Sequence, residues 1–142
     1  MTSGPGPENG MERLRHEMAA PPYHHAFLRP YARSYDAETG TVRIGVAYRP
    51  EFSFSVQTDY YHGGVVAGLI DLAGHAAVAV QIGRIAPTID LRVDYLRPVP
   101  GVELTATARV LKLGRTIARA DIEVADETGM IYAVGRGTFS TT

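Results

Sequence analysis

Val65–Ile82 (VVAGLIDLAGHAAVAVQI) is the longest apolar run in the chain, and it allows few folds. A helix of roughly 20 apolar residues can cross a bilayer, so length alone does not exclude a membrane span. Asp71 and His75 stand in its middle, however, where an ionisable group is costly in lipid, and its flanks carry no basic anchors. The run is therefore read as a helix enclosed by the rest of a soluble fold, apolar on nearly every face. Gly83 follows it as a C-terminal cap.

Something must enclose that helix, and the remaining chain supplies strands. Tyr31–Asp36 and Thr41–Tyr48 flank Ala37–Gly40, a hairpin turn. In Thr88–Leu96, Ile89, Leu91, Val93 and Tyr95 alternate with Thr88, Asp90, Arg92 and Asp94, which predicts a half-buried strand with one wet face. The alternation returns in Val102–Lys112, in Arg115–Val124 and, more weakly because of Gly135 and Gly137, in Met130–Phe139. Pro98–Gly101, Leu113-Gly114 and Asp126–Gly129 supply turns. Three or four successive strands on short turns form an antiparallel meander, and its apolar side has only one long apolar element to cover. The expected fold is α+β, a strongly curved antiparallel sheet wrapped around one long central helix.

Ahead of the hairpin, Met1–Gly10 reads as a disordered lead and Met11–Ala20 as a short surface helix stopped by Pro21-Pro22. Tyr23–Pro30 reads as a turn or irregular arm. This divides the chain into a lead with a short helix over residues 1–22 and one domain over residues 23–142. The lead has neither the basic start nor the apolar core of a signal peptide, so a cytoplasmic location is expected.

Charge and cysteine usage narrow the chemistry. With 14 basic against 15 acidic residues, the chain has no broad field for nucleic acid, and an anionic ligand must be held locally. The sequence contains no cysteine, which excludes disulfides, thiolate zinc sites and a thiol nucleophile.

Gln57–His75 (QTDYYHGGVVAGLIDLAGH) is the most informative stretch. Gly63 and Gly64 at a helix start let a ligand approach the backbone, and the first amides point outward with the positive end of the dipole behind them. Such a site can polarise a carbonyl oxygen or hold an oxyanion. Asp71 follows Gly64 by seven residues, close to two turns, so it shares a face with the helix start but lies about 10 Å further along the axis. That gap is too long for both groups to act on one carbonyl and its attacking water within a single chain. A second, antiparallel copy of the helix would bring Asp71 of one chain to Gly63 of the other, so the spacing argues for a homodimer with shared sites.

Structural roles compete at each position. A lone Asp in an apolar helix can serve a neighbouring backbone group. His62 is read as an orienting residue bonded to a loop carbonyl. His75, four residues after Asp71, could be its ion-pair partner or one of two metal ligands, but no third ligand stands at a telling spacing and no metal is expected. His24-His25 shows no ligand pattern. Phe52, Phe54, Tyr60 and Tyr61 could line an aryl pocket or simply pack.

His62-Gly63-Gly64, then Asp71, then Thr88–Pro98 (TIDLRVDYLRP) together closely resemble the PaaI-like acyl-CoA thioesterases of the hotdog-fold superfamily. The resemblance runs from about Tyr31 to Phe139. It implies that the Gly63 amide binds the thioester oxygen and that Asp71 is the general base or nucleophile. It further implies that Gln57 assists the carbonyl, although many members place that side chain one residue earlier, at Val56 here. Thr88 would help place the water, and in some relatives the residue at His75 does so. It also implies dimers with shared sites, often paired into tetramers. Coenzyme A would enter as part of the substrate and no separate cofactor is needed. Its phosphates need cations, and Arg97, Lys112 and Arg115 are candidates, with Gly64 beside the ligand. Two other classes stay open: a hotdog-fold enoyl or 3-hydroxyacyl thioester hydratase-dehydratase, and a non-catalytic acyl-CoA binder.

Overall fold

The computed structural model describes residues 4–19 and 23–142. In chain order it runs α1 (Pro7–Ala19), α2 (Tyr23–Leu28), β1 (Tyr31–Asp36), β2 (Thr41–Val46), a 3-10 turn (Pro50–Phe52), α3 (Gly63–Ile82), β3 (Thr88–Tyr95), β4 (Leu104–Leu113), β5 (Ile117–Ala125) and β6 (Ile131–Ser140). Among the described residues, six strands form one antiparallel sheet in the order β1-β2-β4-β5-β6-β3, with α3 packed against β2 to β6. The expected architecture, an antiparallel sheet around one long helix, is observed.

Small residues let the helix and sheet approach. Ala106, Ala108, Ala118 and Ala120 on the strands, and Ala73, Ala76 and Ala77 on α3, are fully buried in one core with Leu69, Ile70, Ile122 and Phe139. Burying each of those larger side chains contributes roughly 1.5–3 kcal/mol. The weak alternation of β6 has a packing cause: a methyl group on Gly135 would lie 2.5 Å from Ile70 Cγ2 and one on Gly74 would lie 2.7 Å from the Phe139 ring. Glycine at these places is what allows large side chains from the facing element to fit.

Three local expectations are settled or changed. First, the meander has three strands and not four, because β3 does not lead it. Only β4, β5 and β6 run as successive neighbours, while β3 crosses to the far edge and pairs with β6. Short turns join sequence neighbours, but here the chain between β3 and β4 spans the width of the sheet instead of reversing on itself. Second, the β3–β6 register shifts between Thr88 and Asp90, so that Thr88 faces Phe139 and Asp90 faces Thr138. Strict alternation would put Thr88 on the wet face with Asp90. The bulge turns Thr88 to the helix side and leaves Ile89 60% exposed. Third, α1 begins at Pro7, inside the expected lead, and is no surface helix: Leu14 and Met18 are in the core, and Gly10 lets the Tyr35 ring lie against the backbone. The Tyr23–Pro30 arm contains the short helix α2. Met1–Ser3 and the expected Pro21-Pro22 helix stop lie outside the described residues.

Candidate active site

The start of α3 is set by two neighbouring segments. His62 N–H donates to Phe52 C=O at 2.7 Å, Tyr61 N–H to Val99 C=O at 2.9 Å, and the His62 carbonyl accepts from Val65 N–H at 3.0 Å. His62 is the N-cap, and its Nδ1 accepts the Gly64 N–H at 2.9 Å. The expected loop-carbonyl bond of His62 is thus replaced by one to the helix itself. A ring nitrogen that accepts carries no proton, so Nδ1 is the bare nitrogen. This also occupies the Gly64 amide, which was expected to face ligand. Among the described residues the Gly63 N–H meets no acceptor, as the first amide of a helix has none within the helix.

Beside Gly63 opens a cleft of about 280 Å³ lined by Tyr61, Val66, Tyr95, Arg97, Pro98 and Val99. Tyr61 is buried there; its hydroxyl donates to Val102 C=O at 2.8 Å, and burial pushes its pKa up. Tyr95 Oη donates to the Gly63 carbonyl at 2.6 Å. From the sequence Tyr95 is an apolar-face residue of β3 and part of the TIDLRVDYLRP segment, with no site role of its own. Its place at the end of that strand, followed by Arg97-Pro98, is the one signal that it sits at the cleft. Arg97 lies on the rim with its guanidinium against the Met130 sulfur.

Asp71, two turns along α3, is half-buried and accepts the Thr88 hydroxyl on Oδ1 at 2.6 Å. The bulge in β3 makes this contact. His75 does not meet Asp71: its Nε2 accepts the Ala86 N–H at 3.2 Å, and Nδ1 stands 3.8 Å from Glu17 Oε2 on α1. Its two nitrogens join α3 to the following loop and to α1. Among the described residues no three His, Asp or Glu side chains converge as a metal-ligand set.

Other candidates lie apart from this face. Gln57 is exposed in the Phe54–Tyr60 loop, whose neck is closed by Phe54 N–H to Tyr60 C=O at 3.1 Å, and Val56 beside it is fully exposed. Lys112 lines a groove with Gly40 and Gln81 at the other end of α3, about 25–30 Å from Gly63 along the axis, and exposed Arg115 is in the β4–β5 turn next to it. Within one chain, then, Arg97 joins Gly63 and Lys112 and Arg115 do not. Of the four aromatics before the helix, Phe52 and Tyr61 are core and Phe54 is 59% exposed.

Residues 59–133 match the family model described as the thioesterase superfamily. A candidate esterase of Halobacterium salinarum is 36% identical over 115 residues, 73% of this chain and 76% of that one. The medium/long-chain acyl-CoA thioesterase YigI of Escherichia coli is 34% identical over 94 residues, 55% of this chain and 60% of its own length. Against that relative the chain thus spans less than two thirds. The structure of E. coli PaaI, from the phenylacetic acid degradation operon, superposes with a TM-score of 0.80 at 26% identity over 94% of this chain and 93% of that one.

Proposed function

Because the chain belongs to the thioesterase superfamily, we propose that it hydrolyses an acyl-CoA thioester to the free acid and coenzyme A. The observation that carries this reading is the placement of an open Gly63 amide and an Asp71–Thr88 pair at opposite ends of β3. The Gly63 N–H donates to the thioester oxygen and stabilises the charge that develops there. Asp71, held in place by Thr88, takes a proton from water as the water oxygen adds to the carbonyl carbon; the tetrahedral oxyanion then collapses, the carbon–sulfur bond breaks, and the proton passes from Asp71 to the departing thiolate. Arg97, on the rim of the cleft, is the cation best placed for a phosphate of the coenzyme.

The two halves of this site come from two copies of the chain. Along α3, Gly63 and Asp71 are separated by about 12 Å, too far for one carbonyl and its water. β3 is an edge strand, and Ile89 and Tyr95 on it and Leu96 just after it are half or more exposed. An unpaired, apolar edge is a template for another strand. Antiparallel pairing of β3 with its copy sets the Thr88 end of one chain beside the Tyr95 end of the other, which supports a homodimer with two shared sites.

The test is release of free thiol from a panel of acyl-CoA substrates, followed with a thiol-reactive dye. The wild type should release thiol, and Asp71→Asn should lose about 100-fold or more in kcat while still binding coenzyme A. Near-normal turnover by that variant would overturn the assignment of the base. A substrate altered without thiol release would point to hydration.

A further inference from the structure

We propose that Tyr95 is a positioning residue that holds the Gly63 amide in its catalytic orientation; the proposal rests on the thioester-hydrolase reading above. Tyr95 Oη donates to the Gly63 carbonyl at 2.6 Å, from the last residue of β3 to the first residue of α3. That carbonyl already accepts the amide of Ala67 within the helix, by the ordinary four-residue pattern. Satisfying the carbonyl therefore does not require the phenol. Nor does burial, since Tyr95 is 50% exposed and its hydroxyl could be hydrated instead.

What the bond does is restrain a glycine. The reacting N–H belongs to the His62–Gly63 peptide, and in a planar trans peptide it points opposite to the His62 carbonyl. The carbonyl points down the helix, accepting from Val65 and Val66, so the N–H points outward, away from the helix body. On its other side Gly63 has no side chain to limit its dihedrals, and first turns fray. Both polar groups of the next peptide are tied: the Gly63 carbonyl by Tyr95 and the Gly64 N–H by His62 Nδ1. One tie comes from the helix's own cap, and the other from β3, whose opposite end carries Thr88 against Asp71. The same strand thereby places both the amide and the base. A donor fixed before the reaction loses nothing to reorganisation when charge develops.

Tyr95→Phe keeps the ring that walls the cleft and removes only the hydroxyl. On the preferred acyl-CoA, kcat should fall about tenfold with KM and melting temperature unchanged. Amide hydrogen exchange at Gly64 and Ala67 should quicken severalfold, marking a looser first turn. An unchanged kcat, a rise in KM alone, or unchanged exchange at both amides would overturn the proposal. If the wild type cleaves no thioester, the functional reading fails, and the exchange comparison still decides whether Tyr95 tethers the helix start.

Discussion

At its far end α3 is closed. Gly83 takes the left-handed conformation at φ 73°, its N–H returns to Ala79 C=O at 2.8 Å, and Arg13 from α1 donates to Val80 C=O at 2.8 Å. Glu17 and α2 cover the flank around His75. At its start the same helix is held as firmly, by Phe52, His62 and Tyr95, yet Gly63 and Gly64 are exposed and one amide is left without a partner. The two ends have much the same small and apolar composition. The difference teaches that an open terminus can be a built feature: side chains satisfy the groups around Gly63 and leave one donor open.

The sharpest way to break this contrast is Gly63→Ala. The added methyl would lie 3.4 Å from Tyr95 Oη, an ordinary contact, so the fold should be kept. It crowds the approach to the amide, and kcat/KM should drop about tenfold or more while the melting temperature does not fall. At the other end, Gly83→Ala should do the reverse. Its methyl would lie 3.5 Å from the Arg13 guanidinium, an ordinary contact, but φ 73° is costly for any residue with a Cβ. A loss of about 1 kcal/mol, or about 2–4 °C in melting temperature, is expected with kcat unchanged. If Gly83→Ala slowed turnover, or Gly63→Ala left it intact, the division of labour between the ends would be refuted.

The smallest effect concerns the cover. Both nitrogens of His25 on α2 are buried and, among the described residues, lack partners. Burial lowers its pKa, with His24 of α2 and His75 of α3 adding to the shift and Glu17 of α1 opposing it. The folded state therefore refuses a proton that the unfolded state accepts near pH 6.5. This part of the stability is full above that pH and is lost as pH falls through the lower folded value. Melting temperature should accordingly decline from pH 7.5 to 5.5, and His25→Leu should flatten the decline. An equally steep decline in the variant would show that His25 does not contribute to it.

Much of the fold was legible because it is local. The β1–β2 hairpin around Gly40, the enclosed helix ending at Gly83 and the β4–β5–β6 meander each follow from a period and a turn within a few residues. The site was legible in part for the same reason: His62, Gly63, Gly64 and Asp71 lie on one short segment whose spacing is that of a helix. Less visible were contacts made across the sheet. Thr88 reaches Asp71 only because β3 bulges at Ile89, and Tyr95 reaches Gly63 only because β3 lies at the edge beside β6. Within one chain Arg97 stands by Gly63 and Lys112 and Arg115 stand by the other end of α3, a separation that charge type alone does not reveal.

By itself, the sequence determined the enclosed helix, the strand-rich wrap and the spacing of two turns between the glycine pair and Asp71, since these depend on residue type and on spacing along one element. Only the tertiary structure decided which strand lies at the edge, which way Thr88 turns, where the nitrogens of His62 and His75 point, and that Tyr95 ties the helix start. Those outcomes depend on pairing between residues distant in the chain, where a shift of one residue reverses a face.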